Sequence, residues 1–249
     1  TELLRSQGVE IVLGRARFTS PHSVAVTTAE GERTLEFDSA LVATGTRPRI
    51  PEWCQPDGDR ILTTRDCYPP KVFPESMTVI GSGVTGVEFV HMFASFGADV
   101  SLVVSRQQVL PGKDPEAAAI LEDSFLSSGV RLLKGARATE IERTDDGVVV
   151  RCDDGRQVSS SHAVLAIGSV PNTDGLDLAA AGVEGDPSGY IPINHHCVTN
   201  QPHIYAAGDV SGKLPLSSVA SVQGRKVAEH VMGLHTVEHR HLDYDKAAS

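Results

Sequence analysis

The sequence predicts an α/β protein organised around a parallel β-sheet, and three features carry that expectation. The first is Met77-Thr78-Val79-Ile80, a short apolar run that passes through Gly81, Gly83 and Gly86 into the amphipathic stretch Val87–Phe96. The second is Val100–Val104, another apolar run that begins once Gly97 has stopped the helix. The third is a set of alternating runs, Ala138–Arg143, Val148–Cys152 and Gln157–Ser159, separated by Asp145-Asp146-Gly147 and Asp153-Asp154-Gly155. Strand, helix and strand in succession describe a βαβ unit, and the Asp-Gly turns describe a three-stranded antiparallel meander.

Taken in order, Thr1–Gly8 reads as the last turns of a helix ending at a glycine, so the chain is expected to begin inside an element, as a piece of a longer protein. Strand-like runs at Val9–Leu13, Ala16–Phe18, Ser23–Thr28 and Thr34–Phe37 predict a small antiparallel insertion. Leu41–Pro48 reads as a buried strand that ends on small residues, Thr44 and Gly45, where backbone can pass close to a ligand. The Pro-rich, polar stretch Arg49–Pro74 is the expected connection between two domains. Strand, helix, strand and helix then fill Met77–Ser128, Val130–Leu133 and the meander follow, and His162–Ile167 is the last buried strand of that domain. Beyond Pro171 come a short helix near Leu176–Ala181, the run Ile204–Val210 with Gly208 and Asp209, and a long helix from about Leu216 to Met232.

Composition narrows the function classes. A formal charge of -10 without a basic block argues against nucleic acid and anionic membranes as partners. No apolar run reaches the ~18 residues a membrane-spanning helix needs, and no leader is read ahead of Thr1, so the cytoplasm is the expected compartment. Cys54, Cys67, Cys152 and Cys197 lie far apart and are expected as reduced thiols rather than disulfide or zinc ligands. His235, His239 and His241 lack further ligands in the sequence and are read as a linker, and His195-His196 as loop residues, so no metal is expected.

The glycine spacing carries the chemistry. Gly81 lets the chain turn sharply off the strand, Gly83 lets backbone approach a pyrophosphate, and Gly86 lets helix and strand pack closely. The free N–H groups of Ser82, Gly83, Val84 and Thr85 then face phosphate at a helix N-terminus. With a strand before it and a helix after it, this is a Rossmann-like dinucleotide site. The next strand ends at Val103-Val104-Ser105-Arg106, where an acid would bond the 2′-hydroxyl of NAD. No acid stands there. Arg106 can instead pair with a 2′-phosphate, with Ser105 donating beside it, which favours NADP over NAD; the alternative is a solvated arginine at a strand end.

In order along the chain, LVATGTRP, VIGSGVTGVE, AIGSVPNT and IYAAGDV resemble the flavoprotein pyridine nucleotide-disulfide oxidoreductases, a family that includes dihydrolipoamide dehydrogenase, glutathione reductase and soluble transhydrogenase. The resemblance spans essentially the whole chain. It implies an NAD(P)-binding domain at 70–194 inserted in remnants of an FAD-binding domain at 1–69 and 195–249. It further implies FAD in the full-length parent, with Asp209 near its ribityl chain and Thr44, Gly45 and Gly208 beside it. Glu88 would lie near the flavin as the catalytic carboxylate, and Gly168 on the nicotinamide side. Read without the family, the alternatives are an N-cap or turn aspartate for Asp209 and a first-turn helix glutamate for Glu88. Val84 departs from the aromatic gate of the disulfide reductases. The first FAD glycine motif, the redox cysteine pair and the interface-domain histidine lie outside this sequence.

The run Leu214–Arg225 and the Ser105-Arg106 pair are similar to the transhydrogenases and to NAD(P)H:quinone reductases. The implied activity is hydride transfer from NAD(P)H to flavin and onward to a small electron acceptor, a quinone before a disulfide, in a homodimeric parent. Dihydrolipoamide dehydrogenase, soluble transhydrogenase and a non-catalytic NAD(P)-binding module are the alternatives.

Overall fold

A computed structural model describes residues 2–234 of the chain. The chain divides into two compact units, Thr1–Arg47 with Val170–Ser249, and Pro48–Ser169. The principal elements begin with α1 (Glu2–Ser6), β1 (Arg15–Ser20), β2 (Ser23–Thr28), β3 (Gly31–Glu36) and β4 (Ala40–Val42). Next come β5 (Ile61–Thr63), β6 (Ser76–Ile80), α2 (Val84–Ser95), β7 (Asp99–Val104), α3 (Pro115–Ser127) and β8 (Arg131–Lys134). The meander strands β9 (Ala138–Arg143), β10 (Val148–Cys152) and β11 (Gln157–Ser160) lead to β12 (His162–Leu165), and β13 (Ile204–Ala206) and α4 (Ser217–Val231) follow.

The Pro48–Ser169 unit is a five-stranded parallel sheet in the order β5-β12-β6-β7-β8, covered on both faces. Alternation along the strands explains the layers. Met77, Val79, Val100, Leu102 and Val164 face Phe89 and Phe93 of α2 and Phe125 of α3, whereas Ile80, Val103, Ala163 and Leu165 face Val148 and Val150 of the meander. A sheet buried on both sides needs continuous apolar strands, which is why these runs read so clearly in the sequence. Asp114 caps α3 by accepting from the N–H groups of Glu116 and Ala117, with Pro115 in the first turn.

In the other unit, β1-β2-β3 form an antiparallel sheet, and β13 runs parallel to β4 with Ile204 opposite Ala40. Ile204 and Ala206 pack with Phe18, Val42 and Ile191, while Tyr205 turns to the opposite side against Val227 of α4.

The structure departs from the sequence expectations at several places. Val9–Leu13 forms no strand; Val9 and Leu13 are exposed and no neighbouring strand pairs with them. Leu176–Ala181 shortens to one 3-10 turn, Leu178–Ala181, stopped by Gly182 in the left-handed region. The expected connection Arg49–Pro74 contains β5, whose Ile61 pairs with Ala163 of β12, so the second unit begins before residue 70. It also ends before residue 194, because Asn172 N–H donates to Gly45 O at 2.9 Å and Ile191 N–H to Val210 O at 3.0 Å, which ties that stretch to the first unit.

Candidate functional site

The glycine turn follows directly from β6. Gly81 has φ 109°, and a Cβ there would lie 2.3 Å from Ala166 O, so both conformation and space demand glycine. A Cβ on Gly86 would come 1.9 Å from Gly81 O, which leaves the helix no room to carry a side chain against the turn. Gly83 differs. It is the N-cap of α2 with an ordinary φ of -71°, and a Cβ there would meet nothing within 4 Å. No side chain caps this helix, so no side-chain oxygen takes up its N-terminal N–H groups.

Gly81, Ser82 and Gly83 line a cleft of about 530 Å³ at the C-terminal ends of the parallel strands. Ser105 and Arg106, just after β7, line it too, as does Gly168 after β12. The structure therefore brings together six residues singled out from sequence. Val84 and Thr85 occupy the first turn of α2 and Gly86 is buried behind the turn, but none of the three is among the lining residues. Glu88 lies on the exposed face of α2, where its charge, after burial, helps to raise the Tyr68 hydroxyl pKa.

Arg49, Trp53 and Arg137 complete the cleft and were not singled out from sequence. Arg49 is carried in by its own backbone, its N–H donating to Gly168 O at 2.9 Å. Arg137 stands just before β9, where Asp153 accepts from its N–H at 3.0 Å. Three arginines thus line the cleft and no acidic residue does, in a chain of net charge -10. An uncapped helix N-terminus and three cations make a site for an anion.

In the first unit, the turns after β4 and β13 leave the same edge of a parallel pair. Thr44 and Gly45 lie on one, Gly208 and Asp209 on the other, and Thr46 Oγ1 donates to Asp209 Oδ2 at 3.1 Å. Gly208, at φ 75°, donates its N–H to Oε1 of the fully buried Gln223 at 2.7 Å. Asn172 holds the other turn, its Nδ2 donating to Thr44 O at 2.9 Å. Gln223 was not assigned a role from sequence, although a glutamine on the apolar face of α4 is its visible signal.

The four cysteines are buried and free. Burial first, with Asp66 beside it, pushes the Cys67 thiol up to about 12, and burial with Asp57 takes Cys54 to about 11. Among the described residues, no group of three or more histidine, cysteine or acidic side chains is placed to hold a metal ion. His235, His239 and His241 lie outside the described residues.

A glycine turn, a helix start without a side-chain cap and an arginine-lined cleft at the carboxyl edge of a parallel sheet place the chain among α/β proteins built on a Rossmann-like sheet. The sequence profile of the pyridine nucleotide-disulphide oxidoreductases matches residues 1–224, and the chain belongs to that family. It is 45% identical over 240 residues to an NAD(P)H dehydrogenase (quinone) of Mycobacterium tuberculosis, covering 94% of this chain and 49% of the relative. A dihydrolipoyl dehydrogenase of Zymomonas mobilis is 36% identical over 236 residues, 93% of this chain and 50% of that protein. The crystal structure of LpdA from Mycobacterium tuberculosis superposes with a TM-score of 0.85 at 45% identity, covering 93% of this chain and 52% of that one. The chain spans about half the length of the curated relatives it matches.

Proposed function

We propose that the Pro48–Ser169 unit binds NAD(P)H and that the chain is the nucleotide-handling core of an FAD-dependent NAD(P)H oxidoreductase whose acceptor is a quinone-like small molecule. The observation that carries this reading is the arginine-lined cleft over the Gly81-Ser82-Gly83 turn. The backbone of Ser82 and Gly83 and the first N–H groups of α2, those of Val84 and Thr85 included, would seat the pyrophosphate. Ser105 and Arg106 would hold the adenosine end, favouring a 2′-phosphate, and Gly168 would lie on the nicotinamide side.

The other unit is proposed as part of an FAD-binding domain. Its residues fit one portion of such a group. Asp209 accepts one hydrogen bond from Thr46 and has lone pairs left for ligand hydroxyls, and a Cβ on Gly45 would meet nothing within 4 Å. Thr44, Gly45, Gly208 and Asp209 would hold it, and Glu88, from the Pro48–Ser169 unit, is proposed as the catalytic carboxylate of the full-length protein. When bound, FAD would supply the hydride and electron-transfer chemistry between the nicotinamide and the acceptor. A quinone is favoured over dihydrolipoamide by the 45% against 36% identity of the respective relatives. A cytoplasmic homodimer completes the proposal.

Trp53 is the one tryptophan of the chain and lines the cleft, so nucleotide titration can be read in its fluorescence and by calorimetry. NADPH and NADH are each expected to quench it saturably, NADPH at lower concentration. Absence of binding by either refutes the proposal. Visible flavin absorbance in the same sample, followed by NADPH-driven quinone reduction by the full-length protein, tests the redox part.

A further inference from the structure

The segment between β7 and α3, residues 105–114, forms no regular element, yet it carries Ser105, Arg106 and Pro111 to the cleft. Something must hold it, because a loop that starts beside a ligand loses affinity to its own freedom unless it is preorganised. The fastening is specific. Glu122 of α3 is 9% exposed, and its Oε1 accepts from Val109 N–H at 2.9 Å while its Oε2 accepts from Lys134 Nζ of β8 at 2.7 Å. The next residue, Leu110, donates its N–H to Ser82 O in the glycine turn at 2.7 Å. Leu110 sits at φ 49°, a left-handed conformation that a leucine keeps only where its surroundings hold it. On the other side, Gly135 N–H, next to Lys134, donates to Arg106 O at 3.0 Å.

A buried carboxylate is costly and persists where its partners are fixed. Here those partners are the loop backbone and Lys134, the last residue of β8, whose neighbour Gly135 bonds Arg106 O. We propose that Glu122 is a positioning residue for the nucleotide cleft: with Lys134 it locks the 105–114 loop against the glycine turn, and so sets the affinity for the phosphorylated adenosine end. This inference rests on the dinucleotide reading of the cleft.

The test measures NADPH affinity and backbone amide exchange in the full chain carrying Glu122→Ala or Glu122→Gln. Alanine removes both anchors and is expected to weaken NADPH about tenfold and to speed exchange at Val109 and Leu110. Glutamine keeps an acceptor for Val109 N–H but loses the charge, so it is expected to recover most of the affinity, to within about threefold of wild type, with intermediate exchange. If the alanine variant does not fold, the glutamine variant decides by its amide exchange, and wild-type protection at Val109 and Leu110 there overturns the proposal. Wild-type affinity with wild-type exchange at Val109 and Leu110 overturns the proposal, as does a lowered Tm with unchanged affinity. Arg106→Ala, run beside them, is expected to weaken NADPH while those two amides stay protected, which separates lost contact from lost position. A wild-type chain that binds no nucleotide overturns the cleft reading itself, and the inference with it.

Discussion

Replacing Gly83 by alanine separates binding from folding. Its φ of -71° is open to any residue, and an added Cβ meets nothing within 4 Å. The folded chain therefore tolerates the methyl. Two small terms oppose each other: alanine is a poorer N-cap than glycine, while it restricts the unfolded chain, and each is about 0.5–1 kcal/mol. Stability should stay within about 1 kcal/mol of wild type. The dinucleotide, by contrast, needs that space. A phosphate oxygen bonded to a backbone N–H lies at about 2.9 Å, and a methyl carbon on the adjoining Cα prevents so close an approach. Loss of one charge-assisted hydrogen bond is worth about 1.5–3 kcal/mol, a ten- to hundredfold loss of NADPH affinity. Trp53 quenching and calorimetry measure the affinity, and a thermal melt measures the fold. A Gly83→Ala chain with wild-type Tm and wild-type affinity refutes the claim that pyrophosphate sits on this turn.

Gly86→Ala is the converse case: the methyl would strike Gly81 O at 1.9 Å, and the overpacking should cost at least about 2 kcal/mol and lower Tm by roughly 4–8 °C, so an unchanged melt refutes the packing argument. Arg106→Ala is expected to weaken NADPH ten- to hundredfold and NADH by less than about threefold; equal losses in paired titrations remove the 2′-phosphate role. Asp57 feels a burial effect that raises its pKa, but N–H groups of Asp59, Ile61 and Arg60 and the Arg143 guanidinium outweigh it and hold the carboxyl at about 2. A folded value below the unfolded one, near 4, gives stability that is complete above about pH 4 and lost as pH falls through about 2. Asp57→Asn should therefore cost about 1 kcal/mol at neutral pH after solvent screening and flatten the acid limb of Tm, whereas a wild-type acid limb refutes the assignment. Burial also raises Cys152 and Cys197, so an aromatic disulfide reagent should label none of the four thiols quickly in the folded chain and all of them in denaturant; rapid labelling of any one refutes their protonated, buried state.

The parts of the fold legible in the sequence are those fixed by local physics. Met77–Ile80, Val100–Val104 and the run from His162 to Leu165 are buried throughout and mostly apolar, interrupted only by Thr78, Ser101 and His162, because both faces of the central sheet are covered, and the meander is announced by its Asp-Gly turns. What failed depended on partners far away in the chain. Val9–Leu13 has strand-like composition and no strand to pair with, whereas Ile61–Thr63 sits in a proline-rich stretch and is a strand only because β12 arrives beside it. Short strands hold little propensity of their own, so pairing decides them.

The same distinction divides the site. The glycines were legible because backbone geometry imposes residue type at fixed spacing: Gly81 and Gly86 have no room for a side chain, and that requirement is written within a few residues. Arg49 and Arg137 obey no such spacing. A guanidinium needs only to reach the cleft on a long side chain, and what brings these two there is a backbone bond from Arg49 to Gly168 and the start of a meander strand, neither visible in local pattern. Their placement nevertheless decides what the cleft can hold. With a net charge of -10 the long-range field of the chain opposes a dinucleotide, and that field is screened beyond about 8–10 Å at ordinary ionic strength. The proposed recognition of the anion therefore rests on groups inside that distance, the three arginines and the helix N-terminus of a cleft lined by no acidic residue.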